Sequence, residues 1–225
     1  MRYCVFNGSP RGRSGNTNTL LREVVEGIES ASSPEITWIY LNDDKMRKIA
    51  HEAFREADVV VLGFPLYTDG MPGLVKAFIE SLEPYSGSEG NPRMAFLVQS
   101  GFQEAHHSRF VERYLEKLVL RLNTPYAGTI VKGGCEGLRL QPEESHGALF
   151  AQLTALGTNL ALEGVFDQER LHLLSKPEKY PRILAMLFWL ALTLPITQSY
   201  WDNQLKKNGA YEARFARPFK ENTSN

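Results

Sequence analysis

The stretch YCVFNGSPRGRSGNTNTLLREVVEGI, residues 3–28, decides the fold. It begins with four apolar residues, passes through a loop rich in glycine, hydroxyl and amide side chains, and ends in a segment whose leucine, valine and isoleucine residues recur with helical spacing. A short continuous apolar run is typical of a strand that is covered on both faces of a parallel sheet. The stretch therefore predicts one strand, one loop and one helix of an α/β fold.

The same order of segments recurs along the chain. The further apolar runs are ITWIYL (36–41), VVVLGF (59–64), MAFLV (94–98) and AGTIV (127–131), and helical spacing follows them or lies between them at 44–57, 74–82, 110–122 and 147–162. Repeated strand–helix units predict a doubly wound parallel sheet, in which right-handed crossovers bring the carboxyl ends of the strands to one edge. Ligands of such sheets bind outside that edge, so the loop after the first strand is a candidate binding loop.

The composition narrows the class of protein. The chain has 225 residues, a net charge of −1 and a hydrophobic share of 43%, which is typical of a globular domain with an extension. A near-neutral chain lacks the basic face on which nucleic-acid binding depends. Cys4 lies in an apolar run and Cys135 in a loop, so no disulfide framework is expected. The apolar part of MRYCVF is too short for a signal peptide, and we expect a cytoplasmic protein.

The pattern changes after about residue 164. No sixth strand is predicted there, and we interpret residues 164–225 as one or two helices and a tail that pack on the domain or on a dimer partner. The apolar run Ile183–Leu194 is shorter than the ~20 residues that span a bilayer. Membrane binding is therefore disfavoured, although a peripheral membrane helix stays an alternative.

The loop after the first strand is suited to an anion. It leads into a helix, whose N-terminus presents unpaired N–H groups and partial positive charge. The loop adds hydroxyl and amide groups, arginines and glycines: Ser9, Ser14, Asn16, Thr17, Arg11, Arg13, Gly8, Gly12 and Gly15. The P-loop lysine and the G-x-G-x-x-G spacing are both absent. A hydroxyl-rich loop with arginine suits the terminal phosphate of a mononucleotide. The alternative is a capped helix after a flexible turn.

Two further loops follow the third and fourth strands. FPLYTDGMPGLVKAFIE (64–80) carries prolines and an exposed aromatic, so it suits one face of a flat heterocycle, but it is equally consistent with an ordinary connection. QSGFQEAHH (99–107) is a weak signal by itself. Its adjacent histidines, His106 and His107, are expected to point about 100° apart on a helix, so we predict no metal site.

Together, GSPRGRSGNT (8–17), PLYTDGMPGLVKAFIE (65–80) and SGFQE (100–104) resemble the flavodoxin-like family of NAD(P)H-dependent FMN reductases and quinone reductases. The resemblance covers residues 1–163 and implies a flavodoxin-like five-stranded sheet of order 2-1-3-4-5 that binds FMN. It implies that the FMN phosphate is held by Ser9, Arg11, Ser14 or Gly15, Asn16 and Thr17. It places Pro65, Leu66, Tyr67, Thr68, Asp69 and Gly70 along the isoalloxazine ring, which Ser100, Gly101 and Phe102 close from the other side.

The function implied by the resemblance is that of an FMN-dependent NAD(P)H oxidoreductase. NADPH or NADH would pass hydride through flavin N5 to a quinone, a flavin or a similar small-molecule acceptor, with no catalytic side chain. Backbone N–H groups of Gly70, Gly101 and Phe102 are candidates for stabilising the reduced ring. The resemblance also implies a homodimer. The alternative is a flavin-binding electron carrier, or a membrane-docked or regulatory flavoprotein, without nicotinamide turnover.

Overall fold

The computed structural model describes residues 1–138, 142–192 and 195–217, and its core is one parallel sheet. The strand order β2-β1-β3-β4-β5 confirms the predicted topology. Strand order reverses between β1 and β3, where Val5 pairs with Val61. The carboxyl ends of these two strands therefore flank the switch point at which ligands of doubly wound sheets bind. The strands are β1 (Arg2–Asn7), β2 (Glu35–Tyr40), β3 (Val59–Pro65), β4 (Arg93–Gln99) and β5 (Tyr126–Lys132).

Helices connect the strands and cover both faces of the sheet. The segment 44–57, predicted as one helix, forms two short helices that meet at Ile49, because the Ile49 N–H bonds to Met46 O at 3.2 Å and tightens the turn there. Asp43 caps the first of the two through its carboxylate. The helices of the sheet domain are α1 (Asn16–Ala31), α2 (Asp44–Lys48), α3 (Ala50–Glu56), α4 (Gly73–Ser81), α5 (Arg109–Leu122) and α6 (Gly147–Glu163).

A separate apolar core lies on each face of the sheet. One core contains buried side chains of α3, α4 and α5, and the other contains those of α1 and α6. The helices α1 and α6 approach so closely that a Cβ on Gly27 would lie 1.9 Å from Thr154 O, and one on Gly157 would lie 1.9 Å from Val24 O. Glycine is required at both positions because the opposing backbone occupies the space of a side chain.

The chain continues on the sheet beyond α6. Phe166 N donates a hydrogen bond to Ala127 O of β5 at 2.8 Å, and α7 (Gln168–Leu174) buries Leu174 in the core beside α1 and α6. The first compact unit of the chain spans Met1–Lys179. The boundary predicted after residue 163 coincides with the end of α6. The first compact unit extends further, to Lys179, and includes α7.

The second compact unit begins at Tyr180 and contains α8 (Arg182–Leu192) and α9 (Pro195–Lys207). Three helices therefore follow residue 164 in the described chain, and the expectation of one or two was wrong, because Asp167 caps a helix that the apolar spacing did not reveal. Large apolar side chains of α8 are exposed, among them Ile183, Met186 and Leu190. Within the described ranges, no helix has the length and apolar character to cross a membrane.

Candidate active site

A cleft opens at the carboxyl edge of the sheet, between the loops that follow β1, β3 and β4. Its enclosed volume is about 50 Å³, so a ligand of mononucleotide size would extend from it onto the surrounding loops. Residues from all three predicted loops line the cleft: Ser9, Arg11, Asn16, Pro65, Leu66, Tyr67, Ser100 and Gly101, together with Gln99 and Glu136. The predicted residues that lie outside this lining are Ser14, Gly15, Thr17, Thr68, Asp69, Gly70 and Phe102.

A buried hydrogen-bond network fixes the first loop. Asn7, the last residue of β1, accepts from Ser9 N at 2.9 Å through Oδ1 and donates through Nδ2 to Gly12 O at 3.4 Å and Asn18 Oδ1 at 3.3 Å. Asn18 Oδ1 also accepts from the Tyr40 hydroxyl at 3.0 Å. Because the network joins β1, β2 and α1, the loop is held in shape by side chains that are not part of the cleft.

The first turn of α1 presents unmatched donors beside the cleft. Gly15 precedes the helix without a side-chain cap, and the first turn contains no acidic residue. No described residue accepts a hydrogen bond from the backbone N–H groups of Asn16 or Thr17. These two donors and the helix dipole favour an anion at this end of the cleft, and Arg11 adds a positive charge beside it.

The Asn16 side chain provides one more unmatched group. It is 7% exposed, and its Nδ2 donates to Cys135 O at 2.5 Å. Its Oδ1 is buried and has no hydrogen-bond partner. A buried acceptor without a partner costs about 1–3 kcal/mol, so this atom points to a ligand group that donates a hydrogen bond.

Other polar groups of the first loop are already occupied. The Thr17 hydroxyl is buried and accepts from Gln99 Nε2 at 3.2 Å, so it is held by the end of β4. Ser14 Oγ donates to Arg11 O at 3.0 Å. Arg13 lies with its guanidinium 4.1 Å from the centre of the Tyr40 ring, away from the cleft, and the expectation that it adds charge to the binding loop was wrong.

The second loop is a tight two-residue turn. Tyr67 N donates to Gly70 O at 2.8 Å and Gly70 N donates to Tyr67 O at 3.0 Å, while Thr68 and Asp69 have φ values of 49° and 58°. The turn leaves Tyr67 46% exposed beside the cleft. Because the Gly70 N–H is used within the turn, it is not available to donate a hydrogen bond to a flavin ring. The prediction that Gly70 is such a donor was wrong.

The third loop is tied to the segment after β5. Ser100 N donates to Lys132 O at 3.0 Å, and Cys135 N donates to Ser100 O at 2.8 Å. The backbone N–H groups of Gly101 and Phe102 have no acceptor among the described residues, so they remain candidate donors. The Phe102 ring does not line the cleft, because it stacks on the His107 ring at a centroid distance of 4.2 Å.

The sequence interpretation missed two residues of the cleft. Gln99 is the last residue of β4, and its place at the carboxyl end of a central strand was a usable signal. Glu136 lies in the loop after β5, and its Oε2 is 3.3 Å from the position that a Cβ on Gly101 would take. Only the fold brings this loop to the cleft, since the sequence pattern of GGCEG indicates no ligand.

Neither cysteine has the chemistry of a nucleophile. Burial raises the pKa of the Cys135 thiol to about 11 and that of Cys4 to about 12. Both are therefore protonated at neutral pH, and the prediction that Cys4 is a buried apolar residue is confirmed. Cys135 has a structural part beside this cleft, since its carbonyl oxygen accepts from Asn16 Nδ2 and its backbone N–H donates to Ser100 O.

Comparison with known proteins identifies the family. Residues 1–118 match the family Flavodoxin_2, which is described as having a flavodoxin-like fold. The chain belongs to this flavodoxin-like family. No match was found among curated proteins.

Solved structures share the flavodoxin-like fold at low sequence identity. An FMN-dependent NADH-azoreductase from Bacillus anthracis, solved in complex with FMN, is 15% identical, with 71% of this chain and 99% of that chain covered and a TM-score of 0.52. An NAD(P)H:quinone oxidoreductase from Methanothermobacter marburgensis is 14% identical, with 71% and 96% covered and a TM-score of 0.57. An NADH:FMN oxidoreductase is 14% identical, with 78% and 96% covered and a TM-score of 0.55.

Proposed function

We propose that this flavodoxin-like protein binds FMN in the cleft and is an oxidoreductase that uses NADPH or NADH to reduce a small-molecule acceptor such as a quinone, an azo compound or a flavin. The observation that carries the proposal is the set of unmatched groups at the start of α1, which are the backbone N–H groups of Asn16 and Thr17 and the buried Asn16 Oδ1, in a helix that begins at the cleft. FMN, when bound, supplies the hydride chemistry, and the protein residues bind and orient it.

The donors at the start of α1 match a phosphate group. The N–H groups of Asn16 and Thr17, the Ser9 hydroxyl and the Arg11 guanidinium are the groups that would hold it. Each hydrogen bond to a charged group contributes about 1.5–3 kcal/mol, so a few of them are sufficient without a metal. No acidic side chain in the first turn opposes the negative charge.

The unpartnered Asn16 Oδ1 further restricts the class of ligand that fits the cleft. A phosphate dianion has only acceptors and cannot satisfy this atom, whereas a hydroxyl group can. The ligand therefore combines a phosphate with a neighbouring hydroxyl, as the ribityl phosphate of FMN does. Inorganic phosphate alone would leave Asn16 Oδ1 buried without a partner.

The rims of the cleft are suited to the flat part of the same ligand. Pro65, Leu66 and the exposed Tyr67 ring form one rim, and Ser100 and Gly101 form the other. The free N–H groups of Gly101 and Phe102 are the candidates for hydrogen bonds to ring oxygens. The structural neighbours named as FMN-dependent or NAD(P)H-dependent oxidoreductases support this assignment. The homodimer and the cytoplasmic location stay predictions.

The test is the visible spectrum of the purified full-length protein, recorded after addition of FMN and then of NADH or NADPH without oxygen. We expect FMN to bind at one per chain and its visible absorbance to be lost on addition of a nicotinamide. Asn16→Ala should raise the Kd for FMN about 3–10-fold, the effect of one hydrogen bond between neutral groups. Thr19→Ala, on the same helix but outside the cleft, is the matched control and should change the Kd less than about twofold.

Two outcomes would contradict the proposal. A protein that takes up no FMN would exclude the cofactor. A protein that binds FMN but keeps its visible absorbance with both nicotinamides would exclude the reaction.

A further inference from the structure

The short 3₁₀ turn Ala105–Ser108 brings together side chains that the sequence interpretation kept apart. Glu104, His106 and His107 each offer one metal-ligating atom, and these three atoms lie within 4.8 Å of one another. The expectation that the two histidines point apart was wrong, because the turn is not α-helical and the rings lie at a centroid distance of 4.0 Å. None of the three residues lines the candidate cleft.

Both histidine rings are oriented by acceptors on their Nδ1 atoms. His107 Nδ1 lies 3.2 Å from Asp69 Oδ1, and His106 Nδ1 lies 3.3 Å from the backbone oxygen of Glu178. A carboxylate and a carbonyl only accept, so Nδ1 carries the proton in each ring. In the neutral form of each ring, Nε2 is then left with the lone pair that can bind a metal. Metal-binding histidines are held in this way, with the non-ligating nitrogen bonded to a carboxylate or a backbone carbonyl.

Neighbouring contacts hold the turn in place before any ion binds. Ala105 N donates to Pro177 O at 3.0 Å, and His106 N donates to Glu178 O at 3.1 Å. Arg109 fixes the Glu178 side chain, with Nε 3.1 Å from Oε1 and 3.0 Å from Oε2. The ligand-bearing turn is therefore bonded to a segment distant in sequence, which reduces the entropy that metal binding would otherwise cost.

We propose that Glu104, His106 and His107 bind a divalent transition-metal ion of the zinc class. Two imidazoles and one carboxylate are the ligands of Zn²⁺ sites, with Zn–N bonds of about 2.0–2.1 Å, whereas Mg²⁺ and Ca²⁺ prefer oxygen ligands throughout. To bind a metal, the three ligand atoms must move closer together than their present separations of up to 4.8 Å. Three protein ligands leave a coordination position for water or for an oxygen of a small molecule.

The test is titration of the tag-free full-length protein with ZnCl₂, followed by calorimetry, and with CoCl₂, followed by visible absorbance. We expect one ion per chain and no heat with MgCl₂. His106→Gln and His107→Gln should each weaken zinc binding at least about 10-fold, and His51→Gln, on α3, should leave it unchanged. Asp69→Gly keeps the left-handed backbone of the turn but removes the carboxylate, and should weaken binding by about 10–100-fold.

Thermal unfolding of each variant without metal shows whether it is folded. Zinc binding that is absent from the folded parent protein, or that His107→Gln does not weaken, would overturn the proposal, as would an equal loss in His51→Gln. These readouts need no FMN, so they are independent of the function proposed for the cleft.

Discussion

Substitution of Gly27 by alanine tests the close contact between α1 and α6. A Cβ on Gly27 would lie 1.9 Å from Thr154 O, where ordinary contacts are 3.4–4 Å, so the helices must separate by more than an ångström. Overpacking costs about 1–3 kcal/mol, and this clash falls at the upper end because a backbone atom cannot rotate away. The gain in helix propensity offsets about 1 kcal/mol of it. We expect Gly27→Ala to lower the free energy of unfolding by about 2 kcal/mol.

The assay is urea denaturation of the apo protein, followed by far-ultraviolet circular dichroism. Gly147→Ala is the matched control, because Gly147 lies in α6 with no atom within 4 Å of its missing Cβ, and it should not destabilise the protein. Gly157→Ala should cost as much as Gly27→Ala, since its Cβ would lie 1.9 Å from Val24 O. The double variant should cost less than the sum, because one separation of the helices accommodates both methyl groups.

Specific results would refute this reasoning. If Gly27→Ala is as stable as the parent protein, the two helices do not approach as closely as described. If the double variant shows additive losses, the two glycines do not share one contact.

Three further substitutions test other features of the structure. Burial raises the pKa of Cys4 to about 12, so above pH ~8.5 the unfolded chain binds fewer protons than the folded protein. From this thiol alone, the free energy of unfolding should fall by about 1.4 kcal/mol per pH unit between pH 9 and 11. Cys4→Ala should remove that part of the pH dependence, and an unchanged pH dependence in urea denaturation would argue against a buried thiol. The Arg2 backbone N–H, 2.7 Å from Asp58 Oδ2, lowers the pKa of Asp58, so this carboxylate stabilises the fold above pH ~4 and the contribution is lost as the pH falls through the lowered pKa. Asp58→Asn should therefore destabilise the protein more at pH 7 than at pH 2.5, as measured by thermal unfolding at both pH values. Thr68→Asn should raise the free energy of unfolding by about 0.5–1 kcal/mol, because a β-branched residue is strained at φ 49° and asparagine is tolerated there. The measurement is urea denaturation, and a loss of stability would indicate that Thr68 makes a contact that offsets the strain.

The sheet could be predicted because its signals are local. Each of the five strands is a continuous apolar run, and each predicted segment overlaps the observed strand, as 59–64 does with Val59–Pro65. The helix at 44–57 was predicted without its break, because the apolar spacing continues across Ile49 while the backbone does not. Helix α7 was missed because it is short and its N-cap, Asp167, was not recognised in the sequence.

The loops of the site were predicted, but the direction of their side chains was not. Thr17 and Asp69 have hydroxyl and carboxylate groups that suit a ligand in sequence, yet the structure pairs Thr17 with Gln99 and Asp69 with His107. Each partner lies in a distant part of the chain, and only the packed fold determines which polar groups pair with one another. Glu136 was missed for the same reason, since the position of its loop depends on β5.

The buried hydrogen-bond network of Asn7, Asn18 and Tyr40, which fixes the first loop, limits how the sequence can change during evolution. Asn7 and Tyr40 both donate to the single oxygen of Asn18, so replacing Asn18 by an apolar residue strands the Tyr40 hydroxyl in the interior. A change at Asn18 alone is therefore penalised, whereas a joint change of Asn18 to an apolar residue and Tyr40 to phenylalanine removes the stranded hydroxyl as well. Among descendants of this protein, we expect Asn18 and Tyr40 to be inherited or lost together.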